Sequence, residues 1–312
     1  MAVSHSDWYR ALDPEKREAI RQLHRVNPYW NLVGVLFVLL WIATAAAMLY
    51  ADSWWVYVPG YIAIGLLIHG MANFMHEGIH GTLFRVRRWD RWYGFLMGAP
   101  AMFPLTAYGI NHLLHHKYNR TERDPDEFTN VTKDRTLLSI FFYAWIVLGM
   151  AMYSLHFPYV ALKHATPTER RRIFLERGIL LLVLGTVLGT AWWSGQLAAV
   201  AHVWLVPLVV AAFLGNMRGW AEHTLTVPGN LLTETRTVTS NRLFSFLNIN
   251  LNYHLEHHLF PGVPWYNLPK VHRILRDDYA AAGASIYRSY TRFLFDAFRM
   301  GVHGVAPPVR AA

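Results

Sequence analysis

The sequence predicts an all-α integral membrane protein with a cytosolic helical part. Three observations predict this fold class: 54% of the 312 residues are hydrophobic, several long runs carry no charge, and the basic residues lie between these runs in a biased pattern. Such a composition is unusual for a soluble domain of this length. We found no internal repeat and therefore expect one domain over residues 1–312.

Four apolar segments predict two transmembrane helical hairpins, hence four spans. The first hairpin consists of residues 31–50 and 54–75, and the second of residues 178–193 and 196–217. A helix of about twenty residues rises about 30 Å, which matches the hydrocarbon core of a bilayer. Only a few residues link the two segments of each pair, so each pair is expected to cross the membrane and return.

Two further apolar segments are predicted to be interfacial or re-entrant. Residues 92–110 contain three glycines and two prolines, which do not suit a straight span. Residues 137–160 are long enough to cross, but a crossing there would move the basic run at residues 170–172 to the far side of the membrane. We therefore expect this segment to lie in, or dip into, the cytoplasmic leaflet.

The charge distribution sets the expected orientation. If only the two hairpins cross, all 29 lysines and arginines lie on one side of the membrane, and Asp52 is the only charged residue on the other. This is the positive-inside pattern, which predicts cytoplasmic termini. It accounts for the net charge of +9 without a nucleic acid partner.

Eight of the 17 histidines fall in three short blocks, "HEGIH", "HLLHH" and "HLEHH". Spacings of three and four residues place the imidazoles of a block on one face of a helix. All three blocks lie on the predicted cytoplasmic side, so they can meet in one metal site. The candidate ligands are His76, His80, His112, His115, His116, His254, His257 and His258.

The number and type of these side chains predict a two-metal centre. The sequence has no cysteine, so thiolate sites and iron–sulfur clusters are excluded. Eight imidazoles exceed the six positions of an octahedral ion, which favours two ions. Neutral imidazole suits iron, zinc, copper or nickel, so the spacing does not identify the metal.

Three histidines outside the blocks lie within or just beyond the predicted spans. His223 lies just beyond the fourth predicted span on the cytoplasmic side, and its position alone favours neither ligation nor an ordinary interfacial role. His69 and His202 lie inside predicted spans, where we expect hydrogen bonding or packing between helices rather than ligation.

The second block lies in the stretch "HLLHHKYNRTERDPDEF" and the third in "NYHLEHHLFPGVPWYNLPKVH". Together with "HEGIH" and the two hairpins, these stretches resemble the membrane-bound fatty acid desaturase and lipid hydroxylase superfamily. The resemblance covers roughly residues 30–278. It implies a non-haem centre of two iron ions that uses O₂ and externally supplied electrons to attack an unactivated C–H bond. It also implies that all eight block histidines are ligands, and that His223 is a ninth.

The resemblance leaves the reaction open. Desaturation of a fatty acyl or lipid chain is favoured, and hydroxylation of a lipid or carotenoid and decarboxylation to a terminal alkene are alternatives. The expected partners are the bilayer, a lipid or fatty acyl substrate, and a separate ferredoxin-like or cytochrome b5-like electron carrier that docks on the basic face. Similar acyl-CoA desaturases have an asparagine where this sequence has Gly219, so that contribution to the metal site is not expected to carry over.

Carboxylates adjoin the candidate ligands, and two roles are open for them. Glu77, Glu222 and Glu256 can accept the second ring N–H of a ligating imidazole, or they can simply balance nearby positive charge. Asp124 and Asp126 are expected to organise the loop after the second block.

A non-enzymatic membrane zinc protein is the alternative from another class of function. Zinc transport would call for coordinating or ionisable residues along the spans, and the predicted spans offer only His69 and His202. The histidine blocks lie instead near the membrane surface, which disfavours this alternative.

Overall fold

A computed structural model describes residues 5–310, and this part of the chain is mostly helical. Two short strands, β1 (Thr237–Val238) and β2 (Ile286–Tyr287), pair in parallel. The α-helices are α1 (His5–Ala11), α2 (Pro14–Leu23), α3 (Leu32–Ala51), α4 (Trp54–His80), α5 (Arg87–Gly98), α6 (Leu105–Tyr118), α7 (Arg135–His164), α8 (Pro167–Trp193), α9 (Leu197–Val200), α10 (Val206–His223), α11 (Arg242–Leu247), α12 (His254–Leu259), α13 (Leu268–Ile274), α14 (Arg276–Ala282) and α15 (Tyr290–Met300).

Five helical stretches of the described chain are long and apolar enough to cross a membrane: Pro28–Ala51, Trp54–His80, Arg135–His164, Pro167–Trp193 and Leu197–His223. The first joins a 3-10 turn to α3, and the last runs from α9 through a short π-helical segment to α10. Four of them match the four predicted spans, the last beginning one residue later than predicted. The fifth contains the segment 137–160, which is one continuous helix. Length and apolarity therefore qualify α7 as a span as well, whereas the charge pattern argues for four.

The chain forms two compact units. One comprises Asn27–Asn111 and Met150–Gly215 and is called the hairpin unit here. The other comprises the described residues up to Val26, His112–Gly149 and those from Asn216 onward, and is called the histidine unit.

Both predicted turns between paired helices are present in the hairpin unit. α3 ends at Ala51, the left-handed backbone of the next residue, Asp52 (φ 39°), closes the helix, and α4 starts at Trp54. α8 ends at Trp193, and Gly195 has φ +72°, a conformation that glycine adopts without steric cost. Short links of this kind set the direction of the second helix in each pair.

The hairpin unit has a buried core and an apolar exterior. Met75, Phe95 and Phe157 belong to its core. Outward-facing side chains such as Leu182 (70% exposed) and Trp193 (88% exposed) leave large apolar surfaces on its long helices. Surfaces of this size and polarity suit contact with lipid.

Residues 92–110 are broken, as their composition predicts. α5 ends at Gly98, a short 3-10 turn follows, and α6 begins at Leu105. Met102 has a left-handed backbone (φ 60°), and Pro100 and Pro104 lack the N–H groups that a continuous helix would need.

His69 and His202 are both packed within the hairpin unit. His202 stacks on Tyr57, with ring centroids 4.2 Å apart, and forms a hydrogen bond with the hydroxyl of Tyr61. His69 is buried beside Gly215. The expected packing role is thus confirmed for His202.

The histidine unit is built around an aromatic core. Phe142, Trp220 and Phe293 are buried together with Val238 of β1. The two-residue strands depart from the all-helical prediction, and they fix the segment that precedes α11. This unit contains seven of the nine candidate ligands.

Candidate metal centre

Three helices carry the candidate ligands of the histidine unit. α6 presents His112, His115 and His116, and α12 presents His254, His257 and His258. His223 is the last residue of α10, so the helix continues beyond the apolar segment predicted from hydropathy. The helical spacing inferred for these two blocks is therefore present in the structure.

The seven imidazoles converge. The Nε2 atoms of His254 and His223 are 2.8 Å apart, those of His257 and His116 are 3.1 Å apart, and those of His116 and His112 are 3.0 Å apart. The rings of His115 and His223 also meet, with centroids separated by 4.6 Å. Side chains distant in sequence thus direct ring nitrogens toward common points.

The ring nitrogens form two groups within this unit. One group is His112, His116 and His257, and the other is His115, His223 and His258; within each, the ligand atoms lie within 4.8 Å of one another. Two adjacent groups of three nitrogens are the arrangement expected for two metal ions.

The first histidine block lies in the hairpin unit. His76 and His80 are one helical turn apart near the end of α4, and their ring centroids are 4.9 Å apart. Glu77 Oε1 is 3.5 Å from His76 Nδ1, and the hydroxyl of Thr82 donates to Glu77 Oε2 at 2.7 Å. This pair is thus helical, buried or nearly so, and supported by a carboxylate.

The amino-acid sequence matches that of a known protein family. A profile described as fatty acid desaturase matches residues 52–290, which is most of the chain. The chain belongs to the fatty acid desaturase family. As a member it is an oxidoreductase, and its histidine clusters agree with the family's metal-dependent character.

Individual relatives align along most of their length. Dihydrorhizobitoxine desaturase of Bradyrhizobium elkanii is 31% identical, covering 86% of this chain and 83% of the relative. Sphingolipid delta(4)-desaturase of Mus musculus is 24% identical, covering 87% and 81%. The mouse sphingolipid delta(4)-desaturase/C4-monooxygenase is 27% identical, covering 85% and 79%.

Carboxylates of the histidine unit lie beside the Nδ1 atoms of two of the desaturase's candidate ligands. Asp124 Oδ1 is 2.9 Å from His115 Nδ1, and Glu222 Oε2 is 3.3 Å from His254 Nδ1. A carboxylate at Nδ1 fixes the ring orientation and leaves Nε2 to face a metal. The same oxygen of Glu222 also lies 3.4 Å from Arg218 Nε, so its position agrees with both expected roles, whereas the hydrogen bond to His115 gives Asp124 a role beyond loop organisation.

Glu256 behaves differently from the other two glutamates. Its oxygens accept hydrogen bonds from His272 Nδ1 at 2.6 Å and from Thr237 Oγ1 at 2.5 Å. Its nearest polar contacts are therefore two residues outside the histidine blocks. The sequence gives no signal for His272, because this residue belongs to no histidine cluster.

Burial and charge act on the imidazoles in opposite ways. Burial alone would lower the pKa of His115, but the adjacent Asp124 raises it to about 9. Burial, reinforced by neighbouring imidazoles, holds the pKa of His258 well below its usual value. A lowered pKa favours the neutral form of the ring, which is the form of imidazole that binds metal.

Two buried ring nitrogens fit the metal that the family implies. Nδ1 of His223 and Nε2 of His258 have no hydrogen-bond partner among the described residues. Buried polar atoms are rarely left unsatisfied in folded proteins, and those that are need an explanation. A cation bound by these imidazoles would satisfy such atoms, so the donor set fits a histidine-held metal centre.

Arg236 fixes the end of the helix that carries His223. Its guanidinium donates to the carbonyl oxygens of Ala221, Thr224 and Leu225, and its own N–H donates to Glu222 O at 2.9 Å. A cation is favourable at a helix C-terminus, where carbonyl groups lack partners within the helix. Nothing in the local sequence indicated this role.

Proposed function

We propose that this protein catalyses the O₂-dependent oxidation of an unactivated C–H bond in a fatty acyl or lipid chain, with desaturation to an alkene as the reaction. The observation that carries the proposal is the convergence of seven imidazoles, in two groups of three ring nitrogens with one further histidine beside them. A zinc site is normally complete with four ligands, whereas histidine-rich groups that leave coordination positions open suit redox-active ions that must bind O₂.

The proposed cofactor is a pair of iron ions held by nine histidines. His112, His116 and His257 would serve one ion and His115, His223 and His258 the other, with His254 beside His223. His76 and His80 enter the set on their spacing in sequence and on the family resemblance. When bound, the iron ions would supply the O₂ chemistry that provides the oxidising power.

The protein's own contribution is to orient these ligands and to bind the substrate. Asp124 accepts a hydrogen bond from His115 Nδ1 and Glu222 lies 3.3 Å from His254 Nδ1, so that both Nε2 atoms can face the centre. Apolar exteriors of the long helices provide access for a substrate that resides in the bilayer. We propose that the whole chain, residues 1–312, acts as one desaturase-like domain.

Hydroxylation is the second candidate reaction. One mouse relative carries both desaturase and C4-monooxygenase in its name, which supports the view that closely similar chains perform either reaction. The two outcomes differ in whether a second hydrogen leaves or an oxygen atom is retained. Hydroxylation of a carotenoid and decarboxylation of a fatty acid are further variants on the same centre.

We also propose the membrane topology and the source of electrons. Two crossing hairpins with α7 on the cytoplasmic side keep the 29 basic residues, both termini and the metal centre on one face. A separate electron carrier, ferredoxin-like or cytochrome b5-like, would dock on this basic face. Electrostatic docking weakens with ionic strength, so donor-dependent turnover should fall as salt increases.

Metal analysis and product analysis of the purified chain test the proposal together. We expect two iron ions per chain, and a new alkene in host lipids detected by mass spectrometry. Stoichiometric zinc with no O₂ consumption under reductant would refute the proposal and support a zinc protein. His257→Ala should abolish product formation, whereas His303→Ala, which removes an exposed imidazole of the same unit, should not.

A further inference from the structure

We propose that His272 is a positioning residue that holds the third histidine block in place through Glu256. This rests on the proposed function, because the position at stake is that of His254, His257 and His258 as metal ligands. His272 lies outside the histidine blocks, on α13. Its connection to the block is one buried carboxylate.

Glu256 is the link because it lies on α12 between two candidate ligands. Its side chain is fully buried, and both oxygens are engaged: Oε1 accepts from His272 Nδ1 at 2.6 Å and Oε2 from Thr237 Oγ1 at 2.5 Å. The Thr237 hydroxyl also accepts the backbone N–H of Leu255 at 3.2 Å. Short hydrogen bonds to both oxygens leave the carboxylate a single orientation.

α12 needs anchors of this kind because it is short. Helices below about 12–15 residues are marginal in isolation, and α12 has six residues, from His254 to Leu259, of which three are candidate ligands. A small rotation of the helix would move all three imidazoles together. The direction of α12 must therefore be set by contacts with neighbouring elements.

Both anchors of Glu256 are themselves fixed. The His272 ring lies against Tyr253 and Tyr279, with centroid distances of 5.4 Å and 5.7 Å. Thr237 belongs to β1, which pairs with β2. Glu256 thus connects the ligand helix to two separate elements of the histidine unit.

The segment that contains α13 and α14 is itself anchored to α2. The side chain of Asn267, which immediately precedes α13, donates to Leu23 O at 2.8 Å. Lys16 of α2 pairs with Asp278 of α14 at 2.6 Å. His272 therefore approaches Glu256 from a segment that is anchored on both sides.

Iron affinity of the full-length protein in detergent tests the proposal. The variants are His272→Leu, which removes the donor, and His272→Asn, whose amide N–H₂ can replace the Nδ1 donor. His303→Leu is the matched control, since His303 is exposed and belongs to the same unit. The readouts are iron retained against a competing chelator and the Mössbauer spectrum of the loaded protein.

We expect His272→Leu to lower iron affinity about 10- to 100-fold, the range measured when outer partners of metal ligands are removed. We also expect it to alter the Mössbauer parameters, with His272→Asn and the control resembling wild type. Thr237→Val, paired with Thr237→Ser, provides the same comparison at the other oxygen if His272→Leu does not fold.

The two proposals fail in distinguishable ways. Wild-type protein that loads two iron ions, together with variants of unchanged affinity and spectrum, would overturn the positioning role alone. A His272→Asn variant as defective as His272→Leu would also overturn it, because the hydrogen bond would then not be the cause. Wild-type protein that binds no iron would overturn the proposed function, and the positioning role with it.

Discussion

Asp124 Oδ1 lies 2.9 Å from His115 Nδ1, and the two side chains are buried together. The same carboxylate accepts the backbone N–H groups of Arg120 and Asp126. One residue thus shapes the loop after the second histidine block and sets the orientation of an imidazole within it.

We expect Asp124→Asn to weaken metal binding at the group of His115, His223 and His258. The amide keeps an acceptor for the loop but loses the carboxylate that orients and polarises His115, so a loss of about 10- to 100-fold in affinity is expected. Metal titration of the purified protein measures it. Glu122→Gln, in the same loop with an exposed side chain, is the control; equal losses in the two variants would contradict a specific role for Asp124.

Much of the site could be predicted because the spacing of the histidines along the sequence matches the period of a helix. His112, His115 and His116 share a helix face by spacing alone, and α6 confirms it. The partners of Glu256 could not be predicted in this way. Thr237 and His272 lie 19 and 16 residues away, and a tertiary contact across such separations has no periodic signature.

Helix ends were the other point that the sequence left incomplete. Hydropathy placed the ends of two spans at residues 75 and 217, whereas α4 continues to His80 and α10 to His223. Hydropathy reports the preference of side chains for lipid, while a helix continues wherever its backbone hydrogen bonds continue. The polar turns that carry the ligands are therefore extensions of apolar helices.

Arg236 should contribute strongly to stability. Replacement by Gln leaves buried carbonyl oxygens at the end of α10 without their donor, at about 1–3 kcal/mol for each unsatisfied group. Thermal unfolding in detergent, followed by tryptophan fluorescence, should show a clear fall in Tm. Arg242→Gln, at an exposed position, should leave Tm nearly unchanged. Similar Tm values for the two variants would refute this account of the α10 terminus.

Two helical glycines should respond in opposite ways to alanine. A Cβ at Gly219 meets nothing within 4 Å, so Gly219→Ala should raise stability by about 0.5–1 kcal/mol through helix propensity. A Cβ at Gly78 would lie 2.7 Å from the backbone oxygen of Asp90, where α4 and α5 are in close contact, so Gly78→Ala should destabilise the fold. Thermal unfolding of both variants under identical conditions measures the two changes in stability. A stabilising Gly78→Ala would show that α4 and α5 do not require this close approach.

The number of crossings can be measured because the native sequence has no cysteine. Single cysteines can therefore be introduced at Ser194, in the turn after α8, and at Thr168, near the start of α8, both of which are exposed. With four spans, a membrane-impermeant maleimide should label Ser194→Cys on intact cells and Thr168→Cys only after permeabilisation. If α7 crosses as a fifth span, the two results exchange. Ala51→Cys, between α3 and α4, should be labelled on intact cells under either topology and serves as the positive control. The four-span result would place residues 170–172 on the side of the other basic residues, as the positive-inside pattern requires.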